Sequence, residues 1–280
     1  MYLSCQNIQS ICDLLLVPHF KQNVPLHLSS KKKLFSEINT SFNNPKIIFT
    51  YTDSFERCFQ MLVYVLHFFK NDFILVVNES DYKIDNRYTN IFKLLPKLKY
   101  IYSTNVDITH PQIIPIPVGF GDPCHPHGNT DVINYFTTNY NLFKKSNLVY
   151  FNFMICNNFT KRQDCYDKVI KKGITFQPNH QFEDYLKSLV THKFCISPEG
   201  NGIDCHRFWE SLFLRVIPIC VSNNVVNYFS KYFPVVILND WSELDLSKLD
   251  EIYQNADWSN LDKLDLNYMK NMFEIQSNEY

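Results

Sequence analysis

The chain has 280 residues with 27 basic and 28 acidic side chains and a formal charge of −1, which excludes a cationic nucleic-acid binder and an acidic tail. Hydrophobic residues make up 45% and charged residues 20%, so the chain is not disordered and carries enough apolar material for two mid-sized domains. Its nine cysteines include no C-x-x-C pair and suit reduced core thiols better than a secreted disulfide framework.

The opening MYLSCQNIQSICDLLLVPHF has no basic segment ahead of its short apolar run, and the most apolar stretch, MLVYVLHFF, is half a membrane span at most. A cytoplasmic protein without a transmembrane segment is therefore expected. The glycosylation-type triplets at Asn39, Asn78 and Asn158 read as chance in an Asn-rich chain, and the basic runs at 31–33 and 93–99 as solvated surface.

From Pro45 onward, short β-rich runs alternate with longer mixed segments, the rhythm of parallel strands joined by helical crossovers. IIFTY reads as a strand, 54–70 as a helix, FILVV (73–77) as a strand, 88–96 as a helix, and KYIYST (99–104) and IIPIPV (113–118) as two more strands. GDPCHPHGN (121–129) interrupts the rhythm with Pro, Gly and His. The rhythm then restarts with strands at 148–154, 174–176, 193–197, 216–221 and 234–238, and helices from about Thr160, at 181–190, at 204–214 and at 223–232. VIPICV is apolar throughout, as a strand covered on both faces should be. The expected architecture is α/β, with two doubly wound Rossmann-like domains, 1–135 and 136–280, facing each other across a cleft.

The chemistry concentrates in Phe194–Cys220. A strand ends at Ser197, a loop holding two of the six glycines follows, and a helix opens near Asp204, so helical N–H groups are presented to an anion at the C-terminal edge of a parallel sheet. Asp204, Arg207 and Glu210 are spaced to share one polar helix face. On it a guanidinium can pair with phosphate oxygens and a carboxylate can take ribose hydroxyls. Arg162, at the start of an earlier helix, reads equally as a second phosphate cation or as an ordinary exposed arginine.

The segment SPEGNGIDCHRFWE followed by IPIC resembles the sugar-nucleotide-binding signature of exostosin-like glycosyltransferases, including the related xylosyltransferase-like proteins. LVYFNFMICNNFTKR (148–162), STNVDITHPQIIPIPVGFG (103–121) and VVNESD (76–81) are similar to other parts of that family, so the resemblance covers most of Ile47 to Asp240, strongest at 194–220. It implies a GT-B architecture with a nucleotide-diphosphate sugar, uridine-linked, held mainly by the second domain and transferred to a glycan or glycoconjugate against the first. Carried over residue by residue, Ser197, Gly200, Asn201 and Gly202 line the diphosphate, Arg207 pairs with it and Glu210 holds the ribose. Glu199 and Asp204 complete the donor set. Those enzymes are longer and carry an N-terminal membrane anchor, so location and acceptor do not transfer.

Sugar transfer needs charge stabilisation at the leaving diphosphate and a base at the acceptor hydroxyl. With Arg207 and the helix dipole for the first and no D-x-D triad in the chain, neither a metal nor a tightly bound cofactor is expected. For the base, strand ends of the first domain offer Asp81 and Asp53, with Asp122 and His110 behind them. Cys124, His125 and His127 read as a loop, a poor zinc case. The rival from another class is a catalytically silent sugar- or nucleotide-binding module of the same fold.

Overall fold

The computed structural model describes residues 1–18, 26–35 and 45–278, leaving the Asn39 triplet outside the described residues. It divides into two compact units, Met1–Val118 with Lys263–Tyr280, and Gly119–Asp262.

The first unit begins with α1 (Cys5–Ser10), β1 (Leu14–Val17), β2 (Lys32–Leu34) and β3 (Ile47–Tyr51), followed by α2 (Thr52–Arg57), α3 (Phe59–Leu66), β4 (Phe73–Asn78), α4 (Ile91–Leu94), β5 (Leu98–Ser103) and β6 (Ile113–Pro115). The six strands form one parallel sheet in the order β2-β1-β3-β4-β5-β6, with β3 and β4 in register from Ile47↔Ile74 to Tyr51↔Asn78. Alternation along each buried strand sorts the side chains between two cores. Ile48, Leu75 and Val77 join Phe55 and Leu62 on one face, while Phe49, Ile74 and Val76 join Ile8 on the other.

Several elements depart from expectation. β1 and β2 precede Pro45, where no strand is expected, because LLLV is too short to show a period and β2 begins inside the basic triplet. Lys31 of that triplet is not solvated surface, since its Nζ donates to Ser10 O and Cys12 O at 2.7 and 2.9 Å. The helix expected over 54–70 is broken at Cys58 (φ −120°, ψ 23°). The one expected over 88–96 is a 3-10 turn at Asn86–Tyr88 followed by the single turn α4, stopped at Leu95 because Pro96 excludes the helical conformation from the residue before it.

The second unit holds α5 (Thr130–Asn139), β7 (Asn147–Tyr150), α6 (Phe159–Ile170), α7 (Phe182–Leu189), β8 (His192–Ile196), α8 (His206–Phe213), β9 (Ile217–Val221), α9 (Asn224–Phe229), β10 (Val236–Leu238) and α10 (Leu249–Gln254). Its four strands are parallel in the order β10-β9-β8-β7. One face buries Phe194, Ile196 and Ile219 against Cys165 and Val169 of α6; the other buries Tyr150 and Cys195 against Leu186 and Leu189 of α7. The strand expected at 174–176 does not form. Ile174 and Phe176 pack on the core, but the segment meets the continuation of β7 mainly through Gln177 N–H to Phe151 O (2.7 Å) and Asn152 Nδ2 to Gln177 O (2.7 Å), too little for a ladder.

The compact units divide after Val118 and after Asp262, whereas the sequence suggested a single division at 135/136. Phe136 of α5 packs with Tyr150 and Leu186, which ties that helix to the second unit. The last helix, α11 (Leu266–Asn278), returns to the first unit through Leu266, Met269 and Phe273. No helix among the described residues is long and apolar enough to cross a membrane.

Candidate functional site

At the C-terminal edge of the second sheet, β7 runs out through Phe151–Met154 and β8 through Ser197–Gly200. Arg162, in the first turns of α6, bridges the two exits: its Nε donates to Glu199 O at 2.8 Å and its Nη1 to Met154 O at 2.7 Å. The side chain is only 4% exposed, so it is not an ordinary surface arginine. Asn158 Nδ2 adds a bond to Gly200 O at 2.7 Å. A Cβ on Gly200 would sit 3.0 Å from Arg162 Nη2, and neither Gly200 nor Gly202 has a left-handed backbone. The bare position at 200 therefore gives the guanidinium room, and a Cβ there would press on a group already held by two hydrogen bonds.

α8 opens at His206, two residues later than the expected start at 204, after the extended Cys205, whose side chain makes no capping bond to the first-turn amides. Asp204 lies outside the helix, buried, with its carboxylate accepting Trp209 Nε1–H at 2.7 Å. The expected Asp204–Arg207–Glu210 polar face is thus not formed, because Asp204 is used to fix the indole. Glu210 is also buried, and its Oε2 accepts the Tyr185 hydroxyl at 2.6 Å. Burial raises the Glu210 carboxyl above its ordinary range, against the opposing pull of Tyr185, Arg207 and His127.

Between these groups stands Arg207, whose Nε is buried and has no hydrogen-bond partner among the described residues. Burial works against its charge, but the acidic groups around it, Tyr185, Cys195, Cys205 and Glu210, more than offset that and keep it protonated. Arg162 is weakened as an acid-base cation first by its own burial and then by Arg207, so the two guanidiniums feel each other. A buried donor left unsatisfied is costly, and so are two neighbouring cations. The arrangement is one that an anion would relax.

The other predicted donor residues are spread around this point. Ser197 is buried, with Oγ 3.3 Å from Cys205 Sγ; the Glu199 carboxylate is held by Lys161 and by Asn223 Nδ2 (3.1 Å); Asn201 is exposed and Gly202 buried. Beside them a cavity of about 180 Å³ opens at the ends of β8, β9 and β10, lined by Ser197, Glu199, Asp204, Cys205, Phe208 and Asn223 among others. Arg162, Arg207 and Glu210 lie outside that lining.

In the first unit, Asp53 stands in the first turn of α2 beyond β3, half-buried, and Asp81 is exposed beyond β4; these are neighbouring strands of the sheet. His110 is not beside them. It precedes β6, at the edge where the strands begin, stacked on Phe92 at 5.3 Å and accepting Gln112 N–H at 3.1 Å. Asp122 belongs to the second unit. Sequence reasoning did not bring in Tyr185, which lies 25 positions from Glu210 with no motif linking them, nor the convergence of His125, His127 and His206. The fold and site define a pair of Rossmann-like α/β units, with a half-buried arginine at the strand-exit edge of the second whose Nε is buried and has no hydrogen-bond partner among the described residues. No family model matches the chain, and no curated protein matches it in sequence.

Proposed function

We propose that this protein is an exostosin-like glycosyltransferase of GT-B architecture that moves a sugar, with inversion, from a uridine-diphosphate donor to a glycan or glycoconjugate hydroxyl. The observation that carries the reading is Arg207: a protonated guanidinium whose buried Nε has no partner among the described residues, next to Arg162 and at the uncapped start of α8. A leaving diphosphate gains negative charge in the transition state, and preorganised donors in a water-poor site stabilise that charge best. In this reading Arg207 and the first amides of α8 take the diphosphate, while Arg162 holds the two strand exits and adds positive charge. The cavity beside Ser197 and Glu199 takes the nucleoside end. Glu210 is one of the groups that favour the charge on Arg207 and lies one turn from it along α8, where a ribose would follow the diphosphate. The choice of uridine rests on the sequence resemblance alone.

The test is calorimetric and thermal-shift titration of UDP, GDP and their sugars against wild type and Arg207→Ala. A bound diphosphate at a hundredfold excess over Kd should stabilise the wild type by about 2.7 kcal/mol. The Arg207→Ala protein should lose that gain. Failure of every diphosphate to bind the wild type would overturn the reading; binding without transfer to any acceptor would favour a silent binding module.

A further inference from the structure

The transfer reaction needs a base, and the second unit presents one that the donor site does not use. The chain spends only six glycines in 280 residues, yet Gly121 and Gly128 bracket one short loop, where a Cβ would collide with backbone at 128 and with the His127 ring at 121. A Cβ on Gly128 would lie 1.9 Å from Asp122 O, and one on Gly121 would lie 2.4 Å from Cδ2 of the His127 ring. The loop is closed by His125 N–H to Asp122 O and Gly128 N–H to His125 O, both 2.9 Å. Its geometry therefore lays the His127 imidazole against bare backbone.

Two further rings hold it there. His125 stacks on His127 nearly parallel at 5.3 Å, and His206 approaches from α8 at 5.3 Å. His206 is itself oriented by its Nδ1–H, which donates to Gly119 O at 2.7 Å, and it directly precedes Arg207. Glu210, one turn further along α8, acts electrostatically on both Arg207 and His127. Imidazole and guanidinium thus share one buried carboxylate.

Building on the transferase reading, we propose that His127 is the general base that takes the proton from the acceptor hydroxyl. In that step the acceptor O–H bond breaks and its proton passes to an imidazole nitrogen of His127. The oxygen lone pair forms the new bond to the anomeric carbon, and the bond from that carbon to the diphosphate breaks. Its electron pair leaves on the diphosphate oxygen, beside Arg207. A neutral imidazole is required, and the surroundings supply it. Burial lowers the basicity of His127, His206 from α8 and His125 from its own loop lower it further, and Glu210 opposes them only in part.

Two measurements on the full chain decide the matter. In the first, the His127 signal, assigned by its loss in His127→Gln, is followed by NMR across pH with and without UDP. It should titrate below the ordinary 6.5 and move upward when UDP is bound, because an anion at Arg207 favours the imidazolium. Titration above neutrality, or no response to bound UDP, overturns the proposal. In the second, release of UDP from the uridine-diphosphate sugar that binds is timed in wild type and His127→Gln. UDP affinity should be retained while the rate falls by roughly 10²–10⁴-fold and the acidic limb of the pH profile disappears. Retained affinity with an unchanged rate, or loss of that limb in Asp53→Asn or Asp81→Asn instead, overturns the base and leaves the donor site standing. Absence of UDP binding by the wild type overturns both.

Discussion

Arg207 is held in the folded protein at a cost, since its Nε is buried and has no hydrogen-bond partner among the described residues. Arg207→Met keeps the length and apolar bulk of the side chain and removes that penalty, and Glu210, whose carboxyl burial already raises, takes up a proton once its positive neighbour is gone. The variant should unfold at higher urea in the absence of ligand, by about 1 kcal/mol, while losing diphosphate binding. A destabilised variant would instead mark the guanidinium as part of the scaffold. Glu210 gives a second test at this scale. Its native carboxyl is raised by burial, so the folded state keeps its proton to higher pH than the unfolded chain does, and stability falls as pH rises from the ordinary carboxylate range through the raised value. Glu210→Gln can still accept the Tyr185 hydroxyl and has no charge to lose. Its stability relative to wild type should therefore grow between pH 4 and pH 8, read from urea midpoints; a pH-independent difference would show that ionised Glu210 is fully compensated. The RFWE run was legible in the sequence because type and spacing alone place Arg207 and Glu210 one turn apart on a helix behind a strand exit. Their burial, and the use of Asp204 by Trp209, were not, because both depend on what α8 packs against.

Elements read best where the whole pattern is local. IIFTY, FILVV and VIPICV are strands because an unbroken apolar run can be buried on both faces only in a covered sheet, and each is found so. Helix 54–70 is split at Cys58 while Phe55 and Phe59, on either side of the break, both meet Tyr88, at 4.8 and 5.4 Å. No Gly or Pro marks that break. Caps, in contrast, are written in single residues: Asn129 Oδ1 accepts the Asp131 and Val132 amides at 3.1 and 3.2 Å and starts α5. Asn129→Ala should cost about 1 kcal/mol, with Asn129→Asp restoring most of it in chemical denaturation. Equal losses in the two would mean that the cap contributes nothing and that packing of Ile133 and Phe136 alone holds the helix.

At the level of the molecule, each unit has its own sheet and its own pair of cores, but only the second is built from one continuous stretch of chain. The first is completed by α11, whose Phe273 is fully buried against Tyr102 at a ring distance of 4.7 Å, with Gln276 bonded to the same Tyr102 across 174 positions. That return could not be seen in the sequence. The 3.6-residue period of Leu266, Met269 and Phe273 shows an apolar face, but nothing local says which of two sheets it covers. The consequence is a directed one. Phe273→Ala opens a cavity in the face of the first sheet that α11 covers and should cost about 3–5 kcal/mol there. Amide exchange should then accelerate across β3, β4 and β5 while β7, β8 and β9 keep their protection, since no strand of the second unit shares that core. Acceleration of both sheets together would show that the two units unfold as a single cooperative body, and would make the last helix a determinant of the donor site as well.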